Sequence, residues 1–232
     1  MYNAQGIYGV DIVMCIDATG SMRPCLDAIK EQALTFYERF DEAMAEEGKY
    51  VSNLRIKVIA FRDYGAVHSE AYAAIEESPF FELPEDKEAF RAFVEGIKPK
   101  GGGGDGPESG LEALAHALRT DWTNAGLKQR HVVLMFTDAA ALPLDKHADK
   151  EGYPEGMPKD LAELGSWWEG TDQSFVSSYK PKAGRLVVFA PEREPWEAMD
   201  AWNRYWHVRT SAGAGLSDLD MDTVFDLLVG SC

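Results

Sequence analysis

The stretch VDIVMCIDATGSM, residues 10–22, decides the architecture. Residues 10–16 form a nearly unbroken apolar run rich in Val and Ile, the pattern of a strand buried on both faces. The run stops abruptly at Asp17-Ala-Thr-Gly-Ser-Met, a polar turn. Beyond it, apolar residues recur at Leu26, Ile29, Ala33, Phe36, Phe40 and Met44, a spacing of three and four that predicts one face of a single long helix. Strand, polar loop and helix in that order form the opening unit of a parallel sheet.

The same grammar continues outward. Residues 54–61 predict a second strand, and residues 71–75 a short one that pairs with it as a hairpin. Pro84 with Glu85 and Asp86 predicts a helix start, running to about Gly96. A glycine-rich loop, KPKGGGGDGPE at 98–108, follows, and Pro107 predicts the start of a helix with Leu111, Leu114, Ala115 and Leu118 on its apolar face. Residues 131–136 and 185–190 read as central strands of a parallel sheet, and residues 206–209 as an edge strand. The chain closes with a capping box at Ser217 and a helix carrying Met221, Val224, Phe225 and Leu228. Strands alternating with helices predict one α/β domain over residues 1–232, with a doubly wound, mostly parallel central sheet flanked by helices. Residues 139–182 are too long for one connection and form an insertion. It leaves the C-terminal end of a central strand, so it belongs on the rim that carries Asp17, where open α/β sheets bind ligands.

Composition narrows the function. With 39 Asp and Glu against 23 Lys and Arg, the 232-residue chain carries a formal charge of −16, which argues against nucleic-acid binding and for cations or basic surfaces as partners. Three cysteines without a CxxC pair suit a reducing compartment. The opening residues lack the basic segment of a signal peptide, and no stretch approaches the ~18 apolar residues of a membrane span. The expectation is a cytoplasmic protein.

Three polar loops share the predicted rim: Asp17-x-Thr19-x-Ser21, Gly104-Asp105-Gly106 and Thr137-Asp138. Each offers hard oxygen donors, the ligands of Mg²⁺, with Mn²⁺ or Ca²⁺ as alternatives. On these residues the sequence resembles the von Willebrand factor A family, whose metal-ion-dependent adhesion site has DxSxS after the first strand, a Thr in a later loop and an Asp after the fourth strand. Asp17, Thr19 and Ser21 match the first element with Thr in place of Ser, and Asp138 matches the last. The middle departs from the pattern, because Asp105 stands where the family has Thr. A third carboxylate there would lower the charge left for an acidic ligand and make the site more structural. DATGSM together with GGGGDGPE is similar to intracellular family members, which implies a protein-interaction module, an adaptor or scaffold whose ion takes an acidic side chain of a partner. Kinase, phosphatase or AAA+ ATPase components are the partners that the resemblance implies.

Other features have plainer readings beside functional ones. Asp63, with Arg62, either supports the metal loop or forms a surface ion pair, and Gly104, next to Asp105, is a further candidate for supporting the site or touching a partner. Trp167 and Trp168 either pack the insertion onto the sheet or anchor a partner. Asp145-x-His147-x-Asp149 is a charged surface turn or a metal ligand set. The glycine run fits G-x-G-x-x-G but follows a helix, so it is no dinucleotide loop. GxSxG, Walker A and HExxH motifs are absent, which leaves no catalytic residues to name and predicts a non-enzyme. The alternative is a metal-dependent hydrolase, such as a phosphatase with Asp17 as nucleophile, although Thr19 stands where DxDxT enzymes place their general acid.

Overall fold

The computed structural model describes residues 7–32, 35–65, 73–100, 106–150, 152–217 and 220–231. Strand β1 (Ile7–Asp17) is central, and every residue in it after Ile7 is buried. It pairs in parallel with β2 (Tyr50–Phe61) on one side and β5 (Lys128–Phe136) on the other. Strands β6 (Gly184–Pro191) and β7 (Tyr205–Thr210) extend the sheet in parallel beyond β5, with β7 at the edge. Two short strands, β3 (Ile75–Glu77) and β4 (Phe81–Leu83), pair antiparallel with successive parts of β2. The architecture is the doubly wound α/β sheet expected from the sequence.

Alternation along β1 creates two cores, since successive side chains point to opposite faces. Val10, Ile12, Met14 and Ile16 pack toward helices α1 (Arg23–Gln32), α2 (Phe36–Glu46), α3 (Lys87–Gly96) and α6 (Met221–Ser231). Val13 and Cys15 face helices α4 (Gly110–Arg119) and α5 (Leu161–Glu169). Asp11 lies within the strand and is fully buried, but its carboxylate takes a bidentate pair from Arg55 at 2.9 and 2.6 Å and the Thr123 amide at 2.6 Å. Its charge is thus met from β2 and from the segment before β5.

Several elements depart from the expectations. The single long helix is two, α1 and α2, and Ala33 lies outside the described residues. Thr35 has non-helical backbone angles, and its amide and hydroxyl both turn back to the Gln32 carbonyl, the competition a hydroxyl residue offers to helix hydrogen bonds. The apolar stripe nonetheless continues across the break, with Leu26, Ile29, Phe36, Phe40 and Met44 all in one core. Of the hairpin expected at 71–75, residues 71–72 lie outside the described residues and the pairing strand begins at Ile75. Helix α4 starts at Gly110 rather than Pro107, because the Glu108 backbone is held by Ala140 and Leu142. The last helix is capped by Asp220, not Ser217: the Asp220 carboxylate accepts from the Asp222 amide at 3.1 Å, and its carbonyl takes the Val224 amide.

The insertion contains α5, which the sequence reading omitted. Its signals are local: Asp160 caps the Glu163 amide at 2.8 Å, the Glu163 carboxylate accepts from the Lys159 amide, and Gly170 ends the helix at φ 68°. No helix among the described residues is long and apolar enough to cross a membrane.

Candidate metal centre

Strand register builds the site. Ile16 lies beside Phe136, and Asp17 beside Phe61, so the loops that leave β1, β5 and β2 emerge together at the C-terminal rim. The Ala18 amide bonds to the Phe61 carbonyl at 2.8 Å, and the Ala18 carbonyl takes the Lys100 amide at 2.9 Å. The glycine-rich loop therefore departs from beside Asp17. Asp105 and Gly104 themselves lie outside the described residues.

Four of the expected metal ligands are joined in one hydrogen-bonded chain. Asp17 Oδ1 accepts from the Thr19 amide at 2.9 Å and the Thr19 hydroxyl at 2.6 Å. Thr19 Oγ1 lies 3.4 Å from Ser21 Oγ, which donates to Asp138 Oδ1 at 3.1 Å across 117 residues of sequence. Thr137 donates to Asp17 Oδ2 at 2.8 Å, and the Gly215 amide to Asp138 Oδ2 at 2.7 Å. Asp17, Thr19 and Asp138 are buried, whereas Ser21 opens to solvent. Burial pushes the Asp17 carboxyl up to about 6; bonds from Thr19 and Thr137 oppose the rise, and nearby Asp138 adds to it.

The donor set is all oxygen, two carboxylates and two hydroxyls, which fits a hard divalent cation and no soft one. Among the described residues no three His, Cys, Asp or Glu side chains are gathered closely enough to hold an ion by themselves. An ion held here would draw on the hydroxyls of the DxTxS turn and on water besides the two aspartates.

Sequence reasoning missed two features that border the site. Glu108 is 5% exposed, and burial, then Asp17, Asp63 and Asp138 in turn, push its carboxyl up to about 8. Its Oε2 is buried without a hydrogen-bond partner. The ambiguity of Pro107-Glu108, which reads as a helix start, hid it. The second is the segment after β7. The Gly213 amide bonds to the Asp138 carbonyl at 2.9 Å, and the Gly215 carbonyl accepts from the Cys25 amide at 3.2 Å. Gly215 has φ 60°, and a Cβ there would lie 1.9 Å from the Ser21 carbonyl oxygen. Only glycine allows so close a crossing, and no local pattern announces it.

The remaining candidates sit elsewhere. Asp63 does not bond to the DxTxS turn; its Oδ1 accepts from the Gly65 amide at 2.7 Å and lies 2.9 Å from His147 Nε2. It thereby ties the end of β2 to the insertion, and His147 is occupied as its neighbour. Trp167 and Trp168 are buried in the core beneath the insertion. Trp168 Nε1 donates to the Asn203 carbonyl at 2.7 Å, and Trp167 stacks on Phe175 with centroids 4.1 Å apart. Neither is an exposed anchor; they pack the insertion onto the sheet.

No family model matches the sequence, and no curated protein sequence matches it. Among solved structures, the chain is similar to the pilus adhesin SpaC from Lactobacillus rhamnosus GG, with a TM-score of 0.55 and 10% identity over 95% of this chain and 31% of that one. The likeness is one of fold. The open conformation of SpaC gives a TM-score of 0.52 and 11% identity, over 95% of this chain and 30% of SpaC. The chain thus spans less than a third of SpaC's length. A looser similarity is to the vWF domain of the type V pili tip protein Mfa5 from Porphyromonas gingivalis, with a TM-score of 0.45 and 15% identity over 96% of this chain and 94% of that one.

Proposed function

We propose that the chain is a von Willebrand factor A-type protein-interaction module that holds a divalent cation, Mg²⁺ before Mn²⁺ or Ca²⁺, and serves as a non-enzymatic adaptor in the cytoplasm. The observation that carries the reading is the hydrogen-bonded chain from Asp17 through Thr19 and Ser21 to Asp138. These four residues would hold the ion, with Asp105 as a further donor from the glycine-rich loop. When bound, the cation supplies a positive centre that accepts a carboxylate from a partner. On a surface of net charge −16 such a centre is what makes an acidic partner acceptable at all. Kinase, phosphatase or AAA+ ATPase components are the proposed partner classes, and the insertion beside the site supplies specificity.

A hydrolytic reading with Asp17 as nucleophile has less support. Thr19 stands where such enzymes carry a second carboxylate, and its hydroxyl donates to Asp17 Oδ1, so the general acid the step needs is missing.

Thermal melts test the proposal. Millimolar MgCl₂ should raise Tm of the native chain, and Asp17→Ala or Asp138→Ala should abolish the rise and weaken capture of an acidic partner. Identical melting of the native chain with and without Mg²⁺, Mn²⁺ and Ca²⁺ sinks the metal reading.

A further inference from the structure

We infer that Glu108 is a third carboxylate of this centre, facing the ion across its water shell and completing the neutralisation that Asp17 and Asp138 begin. The inference rests on the proposed metal reading and deepens it. Three observations converge on Glu108. Its side chain is more than nine-tenths buried, and Oε2 has no hydrogen-bond partner, a costly state for a carboxylate that solvent cannot reach. Its backbone is fastened on both sides to the strand-like segment beyond Asp138, with the Glu108 amide bonded to the Ala140 carbonyl at 2.9 Å and the Leu142 amide to the Glu108 carbonyl at 2.8 Å. That fixes Glu108 to the segment that carries Asp138, leaving little freedom to swing away. Finally, the residue after Glu108 ties this corner to the end of β2, the Tyr64 amide donating to Ser109 Oγ at 3.2 Å, so Glu108 stands at the rim between the segments that follow β2 and β5.

Like charges crowded in a low-dielectric rim repel unless a cation or protons intervene. Asp63 has His147 beside it, and the oxygens of Asp17 and Asp138 have protein donors. Glu108 Oε2 has no protein donor. The side chains are not close enough for Asp17, Asp138 and Glu108 to clasp an ion directly. Mg²⁺, however, keeps several of its waters, and a carboxylate that accepts from such a water contributes charge without entering the coordination sphere.

Isothermal titration calorimetry with MgCl₂ on the full chain separates the outcomes. Glu108→Gln preserves shape and should weaken Mg²⁺ binding by about ten- to a hundredfold, the range for groups that support a metal from behind its ligands. Glu112→Gln, in the first turn of α4 and with an equally buried and unpartnered Oε2 but Tyr153 on its other oxygen, should leave Kd unchanged, and Asp138→Ala should remove binding. The metal-free melting temperature of Glu108→Gln should equal or exceed that of the native chain, whereas its rise with Mg²⁺ should shrink; a merely structural Glu108 would lower both. In Mn²⁺-soaked crystals of the native chain, a Glu108 carboxylate oxygen should lie one water away from the ion. Native binding with an unchanged Kd in Glu108→Gln, or a Mn²⁺ site with Glu108 turned away, overturns the role of Glu108 alone. No divalent binding by the native chain overturns the metal centre and this inference together.

Discussion

A buried aspartate in the middle of a central strand is tolerable only while its partners stay in place. Asp11 accepts three hydrogen bonds, two from Arg55 and one from the Thr123 amide. Asp11→Ala strands the guanidinium and the amide, and urea unfolding should show a loss of about 3–5 kcal/mol, the usual cost of breaking a buried pair from one side. In the sequence, Asp11 reads only as an interruption of an apolar run. Its partner sits 44 residues away, and nothing local announces a pairing set by strand register. The same limit applies at Gly215. Its replacement by Ala puts a methyl group into the Ser21 carbonyl at a left-handed backbone angle, so it should lower Tm and blunt the response to Mg²⁺ together. By contrast, Asp17, Thr19, Ser21 and Asp138 were readable because their types and order form a motif. Asp105 and Gly104 remain expectations, since they lie outside the described residues.

Elements differ in how far periodicity alone could place them. Strands β1, β5 and β6 each contain an apolar run of at least four residues and were legible, whereas three-residue β4 is too short to show a period. Helix α5 has its cap and its stop in plain view, and the packing of Trp167 and Trp168 onto the sheet was legible, but at nine residues the helix is too short for its period to stand out within a long insertion. Trp168→Ala should cost about 3–5 kcal/mol in denaturant melts, the range for a large aromatic lost from a core, without changing metal affinity. The joint between α4 and the insertion is sensitive to pH. Tyr153 donates to Glu112 at 3.2 Å, and the Glu112 carboxyl, raised chiefly by burial, titrates at about 7. A carboxyl raised on folding binds its proton more tightly in the native state. The stability it contributes is therefore complete below its ordinary value of 4.5 and is lost as pH climbs to about 7. In chelator-treated protein Tm should fall over that window, to which Asp17 and Glu108, raised likewise, also contribute, and Glu112→Gln should make the fall shallower without removing it.

At the scale of the whole molecule, the sheet brings distant loops to one rim through the order in which its strands lie. Among the described strands β1 comes earliest in the sequence and stands inside the sheet, between β2 and a strand that begins only at Lys128. A nascent chain that has emerged through α4 can pair β1 with β2, yet the opposite edge of β1 must wait, apolar and unpaired, for residues 128–136 to leave the ribosome. A fragment ending at residue 127 should accordingly collect in inclusion bodies, while one that extends through β6 stays in the supernatant longer. Translation speed across the segment before Lys128 then governs yield, and a host that pauses there would make this protein depend on chaperones that shield strand edges.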